Sequence, residues 1–288
     1  MNIRQVLLRY VSDRTFNVIM FYYMHARYGR RFPSLNLESP RSFNEKIIWL
    51  KENWVNPNAA NFTDKLGVKR IVTELLGKDH VIPTLKTFQC AEDISLEGLP
   101  DDFIIKATHG SGWNLINTLK SPLCLRSVRS RAEEWLKTDY GAEERERHYS
   151  KIPRQIIIEP LLKSMDGGPL VDYKIFCFGG RAQFIQVDLD RFSNHTRGFF
   201  DRNWERLPFT TLYPQLSREV RRPNGLENML RIAELLAVGS PFARIDLYEH
   251  KGMVLFGEVT FYHGGGFEPF FPPKYDGVLG NMLVLPVP

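Results

Sequence analysis

Two predicted β-hairpins constrain the fold of this 288-residue chain most strongly. In the segment VDYKIFCFGGRAQFIQVDLDRF, two apolar runs flank Gly179-Gly180, a pair typical of a tight hairpin turn. A second pair of runs, from Pro241 to Phe261, turns around the sequence HKG. Hairpins join antiparallel strands. The sequence therefore predicts antiparallel β-structure in the C-terminal half.

Helical periodicity dominates residues 1–80, and strands begin near residue 81. SFNEKIIWLK predicts a helix whose capping box is formed by Ser42 and Glu45. NFTDKLGVKRIVTELLG predicts one helix ended by Gly77, and NGLENMLRIAELLAVG predicts another capped by Asn224. DDFIIKATHGSGWN predicts a strand entering a glycine-rich turn, and RQIIIEPLL predicts a buried strand. The mixture indicates an α+β fold with lobes around a cleft.

Positive charge is concentrated at the N-terminus. Residues 1–34 hold six arginines and one aspartate, a local charge of +5 that equals the net charge of the whole chain: Arg4, Arg9, Arg14, Arg27, Arg30 and Arg31 against Asp13. The distribution does not favour nucleic acid as a partner. It is typical either of a solvated helical face or of an element that meets anionic lipid or a polyanionic chain.

No targeting segment or metal-binding cysteine motif is predicted. The run FNVIMFYYM is shorter than the roughly 20 residues that span a bilayer, and no signal-peptide cleavage site follows an apolar core. Cys90, Cys124 and Cys177 are scattered without a C-x-x-C pair. We therefore expect buried structural thiols in a reducing cytosol, without a disulfide framework or zinc site.

Several nucleotide and hydrolase motifs are absent. The sequence has no Walker G-x-x-x-x-G-K-[ST], no kinase signature and no G-x-S-x-G elbow, and GSGWNL lacks the third glycine of a dinucleotide fingerprint. One rival motif is present: Asp188 and Asp190 form the D-x-D with which many glycosyltransferases hold a metal-bound sugar nucleotide.

Candidate nucleotide-binding residues follow two of the predicted strands. Lys106 ends an apolar strand just before THGSGWN, so its ammonium could reach a phosphate while the Gly110–Gly112 turn offers backbone N–H groups. A simple turn is the alternative. Glu159 follows three isoleucines, where a strand end could pair its backbone with an adenine edge or could simply be buried.

Charged residues on the predicted hairpins suggest a metal and phosphate site. Alternation places Asp172 and Lys174 on one face, where a cross-strand ion pair is the simpler explanation. Arg244 and Asp246 share a face of the next hairpin's first arm, and Glu258 and Thr260 share one on its return arm. Two carboxylates placed opposite each other repel. Mg²⁺ with a polyphosphate would offset that repulsion.

The order of these elements resembles an ATP-grasp enzyme: strand lysine, glycine-rich loop, hinge glutamate, R-x-D and E-x-[N/T]. The fuller resemblance is to the TupA-like branch, which is linked to bacterial surface polysaccharides. It is carried by FNEKIIWLK, DKLGVKRIV, HVIPTL, FIIKATHGSGWN, RQIIIEPLL, DYKIFCFGG, DLDRF, FARIDLY and FGEVTF. It implies an ATP-grasp fold with a helical N-terminal region (1–80), a small lobe with the glycine-rich loop (81–158) and a large C-terminal lobe with the metal site (159–288), the nucleotide lying between the two lobes.

The resemblance also implies roles for individual residues. ATP would contact the strand lysine, the loop, the hinge and the cleft-lining pair: Lys106, His109, Gly110, Ser111, Gly112, Glu159, Pro160, Leu161, Leu162, Asp172 and Lys174. Catalytic roles would fall to Arg244, Lys174 and Arg191. Mg²⁺ would bind Asp246 and Glu258, with Thr260 in place of the usual asparagine. FYHGGGF replaces the usual Pro-Gly and would shape the acceptor pocket.

The implied activity is ATP- and Mg²⁺-dependent ligation of a carboxylate to an amine through an acyl-phosphate. The substrates would be a small-molecule or glycan carboxylate, such as a uronic acid, and an amino acid or amine. The enzyme would be cytoplasmic or at the inner face of the membrane, its basic N-terminus toward anionic lipid or a lipid-linked glycan. Two alternatives stay open: a phosphotransferase of the same fold, and a non-catalytic nucleotide-binding partner of a glycosyltransferase.

Overall fold

The computed structural model describes residues 9–30, 33–54, 56–164, 167–190 and 194–286. The chain forms two compact units. The first unit comprises Met1–Asn56, Val171–Leu247 and Val259–Pro288, and the second comprises Pro57–Leu170 and Tyr248–Glu258. The lobe boundaries expected at residues 80 and 158 stay a prediction.

Helices and strands alternate irregularly along the chain. The helices are α1 (Asp13–Arg27), α2 (Phe43–Asn53), α3 (Ala59–Thr63), α4 (Gly67–Leu76), α5 (Leu125–Lys137), α6 (Tyr140–Glu144), α7 (Leu226–Leu236) and α8 (Lys274–Met282). The strands are β1 (Lys86–Phe88), β2 (Phe103–Ala107), β3 (Asn114–Asn117), β4 (Ile156–Pro160), β5 (Asp172–Phe178), β6 (Arg181–Leu189), β7 (Thr196–Asp201), β8 (Phe242–His250) and β9 (Met253–Thr260). Short 3₁₀ turns lie at Lys78–His80, Tyr149–Lys151 and His263–Gly266.

The strands form two sheets, which confirms the predicted α+β class. One has the order β1-β4-β2-β3 and the other β7-β6-β5-β8-β9. β5 pairs antiparallel with both β6 and β8. Gly179 and Gly180 join β5 to β6 with φ angles of 55° and 79°, and Lys251 and Gly252 turn the next hairpin at 50° and 78°. Tight hairpin turns of this kind need positive φ at both central residues. Both predicted hairpins are therefore confirmed.

The second unit has its own apolar core. Ile105 of β2 and Ile156 and Ile158 of β4 pack with Val128 and Trp135 of α5, and all five side chains are buried. The three isoleucines of RQIIIEPLL thus form the buried strand that their sequence predicts.

The central strand of the first unit is buried on both faces. Every residue of β5, from Asp172 to Phe178, is buried. α7 packs on β5 and β6, and rings of Phe176, Phe184 and Phe199 contact one another. Buried charges are unfavourable unless they are paired, so the charged residues of β5 require partners within this unit.

The helices agree in part with the sequence. The Ser42–Glu45 capping box is present, and Gly77 ends α4 with a φ of 96°. The single helix predicted for NFTDKLGVKRIVTELLG is wrong, because Asp64 separates α3 from α4 and accepts the Leu66 N–H through Oδ1 at 3.0 Å. Such local side-chain bonds compete with helical ones. Asn224 is not the cap of α7 either, since Gly225 occupies that position without a side-chain bond.

The three cysteines differ in their exposure to solvent. All three cysteines are free thiols, but only Cys177 is buried, so the expectation of buried thiols fails for Cys90 and Cys124.

Of the N-terminal arginines, Arg14 pairs with Glu38 and Glu52 at 2.5 and 3.2 Å. Arg4 and Arg31 lie outside the described residues. Within the described ranges, the helices are all too short or too polar to cross a membrane.

Candidate active site

Charged side chains of the first unit line one face of the five-stranded sheet. Strand register places Asp172 opposite Asp188, Lys174 opposite Asp246, and Asp188 opposite Arg197. Residues paired in register present their side chains on the same face. The face is therefore built by β7, β6, β5 and β8 together.

Asp246 is a buried anion of this face that two cations of the protein bind. Only 1% of the residue is exposed. Arg244 donates two hydrogen bonds to its carboxylate, from Nε to Oδ1 at 2.7 Å and from Nη2 to Oδ2 at 2.9 Å. Lys174 Nζ also binds Asp246 Oδ2 and lies 2.7 Å from Asp172 Oδ2. Burial alone would raise the pKa of Asp246, but Arg244 and Lys174 hold it below its usual value. The charge of Asp246 is thus offset by the protein's own cations.

Further ionic residues, which the sequence analysis missed, extend this cluster. His263 Nδ1 lies 3.0 Å from Arg244 Nη1, and His263 Nε2 lies 3.5 Å from Glu268 Oε2. Arg197 Nη1 donates to the same Glu268 oxygen at 3.2 Å, while its Nε binds Asp188 Oδ1 at 2.6 Å. The sequence did contain one signal for these contacts. Arg197 lies in the apolar run TRGFF, and a buried arginine requires an acidic partner.

The D-x-D residues have different surroundings. Asp188 is buried and accepts hydrogen bonds from Arg197 and from Gln186 Nε2, the latter at 2.9 Å. Asp190 has 29% of its side chain exposed and lies 3.7 Å from Arg218. Asp188 is therefore part of the ionic cluster of the first unit. Arg191 lies outside the described residues, and its predicted phosphate role stays a prediction.

Three lysines and one glutamate form a second cluster, in the second unit. Glu159 Oε2 accepts from Lys106 at 2.6 Å, and Oε1 accepts from Lys69, which also donates to Thr84 Oγ1 at 2.7 Å. Lys65 donates to the Gly110 carbonyl. Burial lowers the pKa of both Lys65 and Lys69. Burial alone would raise the pKa of Glu159, but Lys106 and Lys69 lower it.

This lysine cluster brings together Lys106 and Glu159, which the sequence had singled out separately. Lys65 and Lys69 were missed, although DKLGVK places them four residues apart, the spacing of neighbours on a helix. Glu258 and Asp64 are additional acids whose charges act on Lys65. Two ammonium groups bind one carboxylate and a third binds a carbonyl of the adjacent glycine-rich loop, and that arrangement suits a polyanion.

The glycine-rich loop is shaped by an aromatic cluster. A Cβ at Gly110 would lie 2.6 Å from the ring of Trp113, and Gly112 has a φ of 72°, so both positions favour glycine. The Trp113 ring lies parallel to Trp135 at 6.3 Å between centroids and meets the edge of Tyr140 at 5.2 Å.

His109, which precedes the loop, is also held in place. His109 is buried, and its Nε2 donates to the Trp135 carbonyl at 2.9 Å. Ser111 and Gly112 are the loop residues exposed to solvent, so the loop offers them, and not His109, to a ligand from the solvent side.

The predicted hinge continues from β4. Pro160 is its last residue and lies opposite Phe103 of β2. The Leu161 N–H donates to the Asp102 carbonyl at 3.1 Å, which extends the sheet contact past the end of the strand. Leu161 and Leu162 are half-buried.

The predicted metal ligands offer oxygen atoms only. Asp246 belongs to the first unit, Glu258 to the second, and Thr260 is half-buried at the end of β9. Oxygen donors suit Mg²⁺. No group of three or more His, Cys, Asp or Glu side chains placed to hold a metal is found in the part of the chain that the structure describes. The donor chemistry therefore fits Mg²⁺, with Asp246 shared with Arg244 and Lys174.

Known structures similar to this chain include two of D-alanine–D-alanine ligase from Bacillus anthracis. One has a TM-score of 0.48 at 13% identity and covers 94% of this chain and 89% of that chain. The other, complexed with ATP, has a TM-score of 0.42 at 15% identity and covers 70% of this chain and 54% of that chain. The ATP-grasp ligase PsnB complexed with a minimal precursor has a TM-score of 0.39 at 13% identity, with coverage of 78% and 60%. The chain thus spans little more than half of the last two structures.

A comparison with curated proteins gives no match. The model of the TupA-like ATP-grasp family matches residues 45–284, which include every described member of both ionic clusters. The chain therefore belongs to the TupA-like ATP-grasp family.

Proposed function

We propose that this protein is an ATP-dependent carboxylate–amine ligase. The observation that carries the proposal is the binding of Lys69 and Lys106 to Glu159, with Lys65 bound to the Gly110 carbonyl of the adjacent glycine-rich loop, in a chain of the ATP-grasp family. The lysines would neutralise the polyphosphate of ATP, and the loop would offer it backbone N–H groups. Glu159 would keep the lysines in place before the nucleotide binds.

The ionic cluster of the first unit would serve the reacting groups. Arg244 would stabilise the transferring phosphoryl group and the oxyanion formed when the amine attacks. Lys174 would hold Asp246 and Asp172 in place, as it does in the free protein. Asp246 and Glu258 would hold Mg²⁺, which when bound supplies positive charge to the phosphate oxygens.

The proposed reaction joins two substrates at the expense of ATP. A carboxylate oxygen takes the γ-phosphoryl group, so that ADP leaves and an acyl-phosphate forms. The amine then attacks the acyl carbon, inorganic phosphate leaves with the oxygen it received, and the amine loses a proton. The chain's task is positioning and charge neutralisation, and no covalent intermediate on the protein is required.

The substrates are proposed from the family's link to bacterial surface polysaccharides. A uronic acid or amino acid, free or within a glycan, would supply the carboxylate, and an amino acid or amine would supply the nucleophile. The arginines Arg9, Arg27 and Arg30 would favour an anionic acceptor or an anionic membrane at the cytoplasmic side.

Nucleotide binding can be tested at Lys106. Lys106→Ala should weaken ATP binding at least about tenfold, because a hydrogen bond to a charged group is lost, but should barely affect adenosine. Lys86→Ala is a matched control, since Lys86 lies on the same sheet and binds the Glu97 carbonyl. Calorimetry that gave equal losses for ATP and adenosine would contradict the phosphate assignment.

The reaction itself can be tested by ADP release across a panel of uronic acids and amino acids, with product masses measured. An amide product with ADP and phosphate is the expected result. A phosphorylated product without an amide would identify a phosphotransferase. ATP binding without ADP release for any substrate pair would favour a non-catalytic nucleotide-binding partner protein.

A further inference from the structure

The segment from His263 to Glu268 has a backbone that only glycine supports well. Gly264, Gly265 and Gly266 have φ angles of 56°, 65° and 81°, in the left-handed region that other residues rarely adopt. A Cβ at Gly264 would lie 2.4 Å from Glu268 Cγ. The missing side chain lets Glu268 fold back over the turn, which brings its Oε2 to 3.5 Å from His263 Nε2.

The turn is fixed to α2 of the same unit. Asn44 Nδ2 donates to the Glu268 carbonyl at 2.9 Å, and a Cβ at Gly266 would lie 2.8 Å from the Asn44 carbonyl oxygen. The His263 ring packs edge-on against Phe176, with 4.7 Å between centroids. His263 is 2% exposed, so its ring has little freedom to turn.

The contact with Arg244 determines the tautomer of His263. A guanidinium can only donate hydrogen bonds, so His263 Nδ1, 3.0 Å from Arg244 Nη1, must accept. Burial lowers the pKa of His263, which favours the neutral ring. The single ring proton therefore sits on Nε2, the nitrogen that faces Glu268.

Glu268 supports this tautomer. Burial alone would raise the pKa of Glu268, but its contact with His263 and the positive charges of Arg197 and Arg244 hold it below its usual value, so its carboxylate is ionised at neutral pH. A carboxylate accepts from an N–H and repels a ring lone pair. Arg197, which Asp188 also binds, donates to the same carboxylate and holds it in place.

We propose that His263 and Glu268 are positioning residues for Arg244. Glu268 favours the tautomer of His263 that the Arg244 contact requires, and its carboxylate lies beside the protonated Nε2. His263 Nδ1 then holds one arm of the Arg244 guanidinium while Asp246 holds the other two nitrogens, which orients the guanidinium for the reacting group. The catalytic part of this inference rests on the proposed ligase function, and the hydrogen-bond part does not.

Two substitutions at His263 separate positioning from packing. His263→Phe keeps an aromatic ring against Phe176 but removes the acceptor, whereas His263→Asn loses the ring but offers Oδ1 near the position of Nδ1. Positioning predicts that kcat falls about 10- to 100-fold in the Phe variant, with partial rescue in the Asn variant and little change in the KM for ATP. A packing role predicts the opposite order of the two variants, and that order would overturn the proposal.

A matched control is available in the second unit. His80 also makes one ring hydrogen bond, to the Val254 carbonyl at 2.7 Å, and belongs to neither ionic cluster. His80→Phe should leave kcat unchanged. Glu268→Gln should lower kcat, as His263→Phe does but by less, because the ring then loses the negative charge that favours its tautomer.

Nuclear magnetic resonance tests the geometry without any substrate. Nitrogen shifts of ¹⁵N-labelled histidine, assigned by the signal lost in His263→Phe, should show an unprotonated Nδ1 and a protonated Nε2. Exchange of the Arg244 Nε–H with water should accelerate in the Phe variant more than in the Asn variant. A protonated Nδ1 would overturn the proposal. If no acceptor supports ATP turnover by the wild-type protein, the ligase function fails, while these spectra still decide the hydrogen-bond assignment.

Discussion

Replacing Asp246 by asparagine removes the anion that holds the buried Lys174 and the partly buried Arg244 in the first unit. In the wild-type protein Arg244 binds both carboxylate oxygens and Lys174 binds one of them. If Asp246 were an uncompensated carboxylate that a second carboxylate repelled in the metal-free protein, Asp246→Asn would be as stable as the wild-type protein or more stable. The structure indicates the reverse, because the charge of Asp246 is already compensated.

The expected loss follows from what remains after the substitution. Removing one partner of a buried ion pair costs about 3–5 kcal/mol. Lys174 keeps Asp172 at 2.7 Å, so mainly Arg244 loses a carboxylate partner, and we expect the lower end, about 3 kcal/mol. At about 2–4 °C per kcal/mol for a chain of this size, the Tm should fall by about 6–12 °C.

The assay is thermal and urea unfolding without nucleotide or divalent metal. Glu227→Gln is the control, because Glu227 pairs with Arg222 at 2.5 Å but the side chains are 78% and 43% exposed. Exposed pairs contribute at most about 1 kcal/mol. The double variant of Asp246→Asn with Arg244→Gln should lose less than the sum of the two single variants. An Asp246→Asn protein that melts at or above the wild-type temperature would refute the reasoning.

Three further predictions concern other charged or reactive groups. The pKa of Glu159 is lowered in the folded state, so the stability that its carboxylate contributes is complete above the unfolded pKa of about 4.3 and is lost as the pH falls through the folded pKa. The stability difference between wild type and Glu159→Gln should therefore shrink in acid, and a constant difference from pH 7 to pH 3 would contradict this. Cys90 and Cys124 should react with a thiol reagent in the native state, whereas Cys177, whose pKa burial raises to about 12, should react only after unfolding; three equal rates would be inconsistent with the fold. Arg27→Gln should raise the KM for an anionic polymeric acceptor at low ionic strength without changing ATP affinity, and unchanged kinetics would leave Arg27 a solvated residue.

Local sequence was a good guide to the elements and a poorer guide to their ends. The Gly179-Gly180 turn and the Ser42–Glu45 capping box formed as predicted, because turn and cap geometry depends on neighbouring residues. The break at Asp64 was missed because apolar periodicity continues across it, while the carboxylate instead bonds the Leu66 N–H.

The candidate site was predicted as single residues and assembled by the fold. The sequence identified Lys106 and Glu159 from their places at strand ends, and the antiparallel pairing of β2 with β4 brings the two side chains to 2.6 Å. Lys65 and Lys69 could not be assigned in the same way, because nothing in the sequence around α4 indicates which strand these lysines contact.

The sequence by itself determined the family, the α+β class, the hairpins and the residue types available for chemistry, because these depend on short-range patterns and on the order of elements along the chain. Only the tertiary structure decided how the charges are paired. Asp172, Lys174 and Asp246 meet through strand register, and the left-handed glycine turn returns Glu268 to His263. The physical reason is that the energy of a buried charge depends on partners that are distant in the sequence, and these partners are fixed only when the strands are paired and packed.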